Sequence, residues 1–412
     1  MKPEFPTASF PAGAAQAVST ELYWVMPTAR GFLDALGAKC AMSRNVKIRL
    51  PFYPIVGLHR AMEAALERAH LPTPARRWLK IEDGMQVGTQ VGAALGEGHM
   101  SPEELVLCEP PEARAIILEA LGPQASVACS DYLQRFANAQ TPSQRPGAHL
   151  KLIALVPETI EGSSSNASDN EIRYSGALSH GEMSAYLAIR MADRSGPHTT
   201  GLLRQLVTEF SGFDASFAEV LMGFSDMELL AMPESLPSLV SDAEGRWRSG
   251  QWAALCYAEL AGSQVRHTLY EIHLSRHPGP DQRSAQESLR RKYWRACVRS
   301  ILPYLEEHRS AVMAPLRSAL ESHTKHSGGK LVRPTISGRR SETTSLDDVE
   351  YNQIPGLIHH EQFVIPSEPK ARLAVKVCFA AKTVRDETAH MRAPRPESIM
   401  ELASAMEAFQ SA

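Results

Sequence analysis

The stretch VRDETAHMR, residues 384–392, places an arginine, a carboxylate and an imidazole within six positions: Arg385, Asp386 and His390. An imidazole titrates near neutral pH and can carry a proton to or from a reacting group. A guanidinium is always charged and holds phosphate or carboxylate oxygens through paired N–H groups. On a helix, Asp386 and His390 share a face, so the carboxylate can orient the ring or raise its pKa. Arg385 then stands about 140° around the axis from His390, and the two flank a groove rather than touch. The plain alternative is a helix end, with His390 at the negative end of the dipole, paired with Asp386, and Pro394 stopping the chain.

Two other groups of residues have metal-binding chemistry. Asp83, Glu109, Asp131 and Glu158 each follow an apolar run that reads as a strand. In an open parallel sheet the carboxyl ends of the strands form the ligand crevice, where gathered carboxylates can hold Mg²⁺. Carboxylates after strands also serve as helix N-caps, and Asp131 before YLQRF fits that role. His273 and His277 lie four apart, a spacing that can hold a metal, but no third ligand is near and a helix end before Pro278-Gly279 accounts for both. The P-loop spacing, GxGxxG and GxSxG are all absent from the chain. No haem or nucleotide cofactor, and no cofactor at all, is therefore expected.

These residues need elements to position them. At 412 residues the chain is long enough for two or three domains. With 43% hydrophobic and 22% charged residues it is globular rather than disordered. A net charge of -3 excludes a general polyanion affinity, so any nucleic-acid contact must come from a local basic patch. Six cysteines without a CxxC pair argue against a zinc ribbon and for buried, reduced thiols. No signal-peptide core and no apolar run of membrane-spanning length is present, so the expectation is a cytoplasmic protein with no membrane contact.

After an irregular segment at 1–19, short apolar runs alternate with helical patterns over 20–160. ELYWVMP, NVKIRLPF, RRWLKIED, ELVLCEP, ASVACSD and LKLIALVPE read as strands; IVGLHRAMEAALERAH and PPEARAIILEALG read as helices. Such alternation predicts an α/β domain with a mostly parallel, Rossmann-like sheet. A polar, Ser-rich linker follows at 161–171. The pattern over 172–412 is helical and predicts an all-α C-terminal domain. Its long helices are expected at about 250–277 and 281–323, the second kinked or broken at Pro303, with later ones at 369–390 and after Pro396. An irregular insertion at about 324–352 interrupts them and carries Lys325, Lys330, Arg333, Arg339 and Arg340.

Arg385-Asp386-Glu387-Thr388-Ala389-His390, with a polar residue after the arginine and a place on a late helix, resembles the R-x(4–6)-H motif of the HEPN superfamily. The bare spacing also occurs at Arg173/His180, Arg266/His273 and Arg317/His323; the following acid and the helical setting distinguish Arg385/His390. The resemblance implies a metal-independent RNase in which Arg385, Asp386 and His390 act on the phosphodiester, often as a homodimer, in toxin or antiviral defence systems of bacteria. It also implies that many members are non-catalytic. Three functions therefore stand side by side. One is an RNA-cleaving or RNA-binding effector, with the 324–352 basic residues on the backbone. Another is an assembly subunit for a protein partner, using surfaces that carry Trp247, Trp252, Trp294 and Tyr304. The third is a Mg²⁺-dependent enzyme built on the four acids.

Overall fold

The computed structural model describes residues 20–50, 55, 57–71, 75–108, 114–140, 150–157, 170–194, 196, 198–232, 234–236, 257–260, 263–325, 331–334, 340–343, 345–359, 363–390 and 392–412, the side chains of 20, 257–265, 332–334 and 340–343 excepted. Two compact units emerge. The first takes Met1–Tyr186, Gly212–Val220 and Leu239–Tyr270; the second takes Leu187–Ser211, Leu221–Ser238 and Glu271–Ala412. The first contains an all-parallel sheet among helices and the second is almost wholly helical, which is the architecture the sequence pattern predicts. The unit boundary falls at 186/187, later than the 161–171 linker, and two short segments return to the first unit.

In the first unit, strands β1 (Asn45–Leu50), β2 (Arg76–Ile81), β3 (Ala115–Ala120), β4 (Lys151–Pro157) and β5 (Glu171–Arg173) lie in the order β2-β3-β4-β1-β5. The central pair β3 and β4 reads AIILEA and KLIALVP, nearly continuous in apolar residues because both faces are covered. Helices α4 (Val87–Ala94), α5 (Pro102–Leu107) and α6 (Pro123–Ala139) supply Val91, Leu105, Cys129 and Phe136 to the core over Ile116, Leu118, Leu152 and Ala154. Preceding β1, α1 (Thr20–Val25) and α2 (Pro27–Met42) precede the buried Arg44, which donates to Leu150 O and Val106 O. Helix α3 (Leu58–Arg68) packs on α2.

Several apolar runs take the opposite state from the one their composition suggests. ELYWVMP is helical, and Pro27 opens α2 at its first turn. The ELVL of ELVLCEP ends helix α5, because Ser101 and Glu104 form a reciprocal capping box around Pro102. ASVACSD lies inside α6, whose buried positions 125, 129, 132, 133 and 136 follow helical spacing. AIILEA, assigned by pattern to a helix, is the buried strand β3. Short apolar runs do not distinguish a core strand from a core helix; caps do.

The second unit is built around α12 (Gln282–Met313), a helix of 32 residues that contains Pro303 without ending there. The change to a tighter turn comes later, at Ala314–Leu316, before α13 (Arg317–Lys325). Helix α8 (Thr200–Ser211) packs along α12, and its buried Glu209 meets Arg295 at 2.9 Å and Arg299 at 2.5 Å. Helices α14 (Gln353–His359), α15 (Pro369–Ala389) and α16 (Pro396–Gln410) complete the packing. In chain order between α7 (His180–Arg190) and α12 come α8 and α10 (Asp226–Leu230) of this unit; most of α9 (Ala215–Met222), the antiparallel pair β6 (Tyr257–Leu260) and β7 (Ser263–Arg266), and the first turn of α11 (Thr268–Arg276) belong to the first. Of the long helix expected over 250–277, the described residues form instead an antiparallel strand pair and a short helix. A second hairpin, β8 (Leu331–Pro334) with β9 (Arg340–Thr343), occupies the insertion.

Two stability predictions follow from this packing. The Asp83 carboxylate, just past β2, accepts the Ala125 N–H at 2.7 Å and so caps α6, whose own N-cap residue Gly122 has no side chain. A Cβ at Gly122 would collide with that carboxylate. Asp83→Ala should cost about 1 kcal/mol. Gly122→Ala should cost at least as much alone and less in the Asp83→Ala background, read as a double-mutant cycle in urea. Removing both Arg295 and Arg299 leaves the Glu209 carboxylate short of its two partners and should cost about 2–4 kcal/mol by the same measurement.

Candidate functional site

Helix α15 begins with Pro369 in its first turn and buries Ala371, Ala374, Val375, Val377, Cys378, Ala381, Val384 and Thr388. Its end is pinned from outside: the Trp294 indole of α12 donates to Thr388 O at 2.8 Å, and the Thr388 hydroxyl donates to Val384 O. Tyr293, one residue earlier on α12, is buried; its hydroxyl donates to Leu230 O at 2.8 Å and lies 3.4 Å from Pro394 O just beyond the helix. The three motif residues therefore leave a fixed helix end. His390 is the C-cap residue and its backbone N–H donates to Asp386 O.

The side chains are disposed differently from the expected pairing. The Asp386 carboxylate accepts from Lys382 Nζ at 2.6 Å, one turn back, and does not engage the ring of His390. That is the usual fate of an acid four residues after a lysine on an exposed face. The His390 side chain is exposed and has no hydrogen bond or ion pair among the described residues. Arg385 is about one-third exposed (34%), and its Nη1 donates to Glu350 Oε2 at 2.5 Å. The hydrogen bond to Glu350 pushes the Arg385 pKa up, against a smaller downward effect of burial. Arg385 and His390 thus occupy one helix end, as the spacing predicts, but the acid that touches the arginine comes from residue 350.

Along the same helix Arg372, Lys376, Phe379, Thr383, Asp386 and His390 recur at alternating spacings of four and three. This is the exposed stripe of α15, and Phe379 within it is 47% exposed. The basic residues of the insertion are only partly placed. Lys325 is exposed at the end of α13. Arg333 and Arg340 lie on the β8–β9 hairpin, opposite Ser341 and Pro334 respectively, while Lys330 and Arg339 lie outside the described residues.

The four acids do not all end strands. Asp83 does, and it serves as the α6 cap. Asp131 is exposed in the middle of α6, not at an N-cap. Glu109 and Glu158 lie outside the described residues, the first beyond a helix and the second beyond β4. No group of three or more His, Cys, Asp or Glu side chains able to hold a metal occurs among the described residues. His273 and His277 stack with ring centroids 4.2 Å apart, and His277 Nδ1 meets His273 O at 3.0 Å across the end of α11. Of the tryptophans and tyrosine considered as partner contacts, Trp294 is partly buried on α12, Tyr304 lines a cavity, and Trp247 and Trp252 lie outside the described residues. Cys40, Cys129, Cys297 and Cys378 are free and buried, and burial pushes each thiol up to about 12.

Sequence reasoning missed two constellations in the helical unit. A cavity of about 80 Å³ is lined by His198, Leu202, Ser300, Ile301, Tyr304 and Leu402 among others, with Tyr304 Oη 2.6 Å from His198 Nδ1. Burial lowers the His198 pKa, opposed by Glu407 and reinforced by His308, and pushes the Tyr304 phenol up to about 12. A second cleft of about 160 Å³ is lined by Arg309, Ser310, Met313, Arg317, Leu346 and Asp347. Neither could be found from spacing, since each joins residues thirty to a hundred positions apart.

Because the folded-state pKa of His198 is depressed, its contribution to stability is complete above the unfolded value of about 6.5 and is lost as pH falls below it. His198→Gln should flatten that part of the stability–pH curve between about pH 7 and 5, measured by urea unfolding; an unchanged slope would contradict the assignment. No protein-family model matches the chain, and the search of curated proteins gives no match.

Proposed function

We propose that the helical unit is a HEPN-like, metal-independent RNA-cleaving or RNA-binding effector, of the kind found in defence and toxin systems, with its chemistry at the end of α15. The observation that carries this reading is the common emergence of Arg385 and His390 from one rigidly anchored helix end. There the imidazole is open to solvent and the guanidinium sits about one turn away. In the proposed reaction the substrate's 2′-oxygen loses its proton and attacks phosphorus, and the 5′-oxygen leaves with a proton. His390 moves one of these protons. Arg385 holds the non-bridging oxygens as their charge grows. The Lys382–Asp386 pair takes no part in orienting the ring, and His390 instead depends on the helix end for its position.

A second reading, a non-catalytic assembly subunit, is favoured by a specific observation. Both charged neighbours of His390 are already paired within the chain, and the same helix presents Phe379 in an exposed stripe with heptad-like spacing. Such a stripe suits another helix, from a second copy or from a partner protein.

RNA cleavage by the purified chain in EDTA and in Mg²⁺ tests the two readings. Activity in EDTA should fall by about 10²–10⁴ in His390→Ala and be absent in the Arg385→Ala/His390→Ala double variant. No cleavage in either condition, together with loss of self-association in Phe379→Asp by light scattering, is the result expected of the assembly subunit.

A further inference from the structure

The Arg-lined cleft and the motif arginine share one feature: each is occupied by acidic groups from a single short segment. Residues 345–350 read SLDDVE and follow directly from the β8–β9 hairpin. Leu346–Asp348 form a single tight turn, started by the Ser345 hydroxyl accepting the Asp347 N–H. Arg317 Nη1 donates to Asp347 Oδ1 at 3.0 Å. The Arg309 guanidinium donates to Asp347 O and Val349 O, and also pairs with Glu306 at 3.0 Å. Glu350 takes Arg385. Glu306 raises the pKa of both Arg309 and Arg385, and Asp348 raises that of Arg309, so the arginines of α12 and α15 lie in one local field.

We propose that the surface formed by Arg309, Ser310, Arg317 and Arg385 is a binding site for the phosphodiester backbone of single-stranded RNA, and that Asp347 and Glu350 occupy it as built-in competing anions. In its ligand class the inference rests on the RNA reading above. The site itself rests on three arginines from α12, α13 and α15, a cleft of about 160 Å³ between two of them, and an acidic segment laid across all three. The cleft is roomy enough for a phosphate group and already has a hydroxyl, Ser310, in its lining. Guanidinium groups bind phosphate and carboxylate with the same paired geometry, so a carboxylate is the natural intramolecular substitute.

The competing contacts are of a kind that gives way. The Arg317 and Asp347 side chains are 58% and 75% exposed, and exposed pairs contribute little net stability and weaken with salt. The backbone of the segment is anchored, since Val349 is fully buried and the buried Tyr351 hydroxyl donates to Leu305 O. The Asp347 and Glu350 carboxylates have to turn aside from Arg317 and Arg385, while Arg309 keeps its contacts to Asp347 O and Val349 O and acts through its charge at the cleft wall. A polyphosphate chain offers several charges along one path, whereas the segment offers Asp347 and Glu350 singly. The RNA therefore wins by multiplicity and counterion release. Arg385 is held in a charge-paired state until a nucleic acid backbone reaches it, which makes Glu350 a brake on the proposed active end of α15.

The test is binding of a fluorescein-labelled oligouridylate to the full chain at low salt, with His390→Ala present throughout so that cleavage does not intervene. Asp347→Asn/Glu350→Gln, which removes charge and keeps shape, should tighten binding about tenfold. Arg309→Ala/Arg317→Ala should weaken binding and lower the slope of log K against log salt by about 1.4, two phosphate contacts' worth on a single strand. Arg317→Gln, at an exposed position, gives half that slope change without loosening the segment. Wild-type affinity in the carboxylate variant, or an unchanged slope in the arginine variants, overturns the proposal. Binding shifts as expected in a chain that never cleaves RNA remove the nuclease reading and leave the site standing. Cleavage that Arg385→Ala abolishes, with wild-type binding in the cleft variants, does the reverse.

Discussion

The small-residue face of α15 is the contact on which the arrangement of the candidate site depends. Ala371, Ala374, Ala380 and Ala381, with Val377, Cys378 and Val384, are all buried within the helical unit, where α12, α14 and α16 pack on this helix. Alanines let helices approach closely and fix one rotation of α15 about its axis, since any other would bury charge. That rotation leaves Arg372, Lys376, Phe379, Asp386 and His390 outside. The Trp294-to-Thr388 bond then fixes where the helix stops. The common placement of Arg385 and His390 at that helix end follows from this one buried seam.

Electrostatics inside the helical unit are local and mostly self-satisfied. Glu209 is buried between Arg295 and Arg299; Glu271 is buried with Lys292 at 2.6 Å and accepts from Ser288. These pairs join neighbouring elements from inside. The pairs around the 345–350 segment differ in kind: they are exposed or half-buried, Arg317 and Arg385 take carboxylates from this one stretch, and Arg309 takes its backbone oxygens. A chain with a net charge of -3 has no general attraction for nucleic acid, so an anion site has to be a local concentration of this sort. Buried pairs join the unit's elements from inside, while exposed ones contribute little net stability.

The class of fold was legible because strand–helix alternation and helical spacing are properties of periodicity, and β1, β2, β4, α3, α15 and α16 were all readable from it. The failures came where periodicity is silent. ELVLCEP and AIILEA have similar apolar content, and only the Ser101–Glu104 capping box separates the helix from the strand. Helix α12 passes through Pro303, where the local rule predicts a kink or a break. At the site, Arg385, Asp386 and His390 were visible as a motif and their common helix end followed. The partner of Arg385 was not visible, since Glu350 lies 35 residues away and reaches it only through the fold. Asp386, adjacent in sequence and assigned to His390 by spacing, was taken by the closer-fitting Lys382.

The most direct test of the account is the chemistry of the ends left by cleavage. An RNA oligonucleotide and its all-2′-deoxy counterpart, incubated with the chain in EDTA, should behave differently. The account predicts that the RNA is cut to 2′,3′-cyclic phosphate and 5′-hydroxyl ends, seen by mass spectrometry, and that the deoxy strand stays intact. Cleavage of both strands, or 5′-phosphate ends formed only with Mg²⁺, would contradict it and remove Arg385 and His390 from the chemistry.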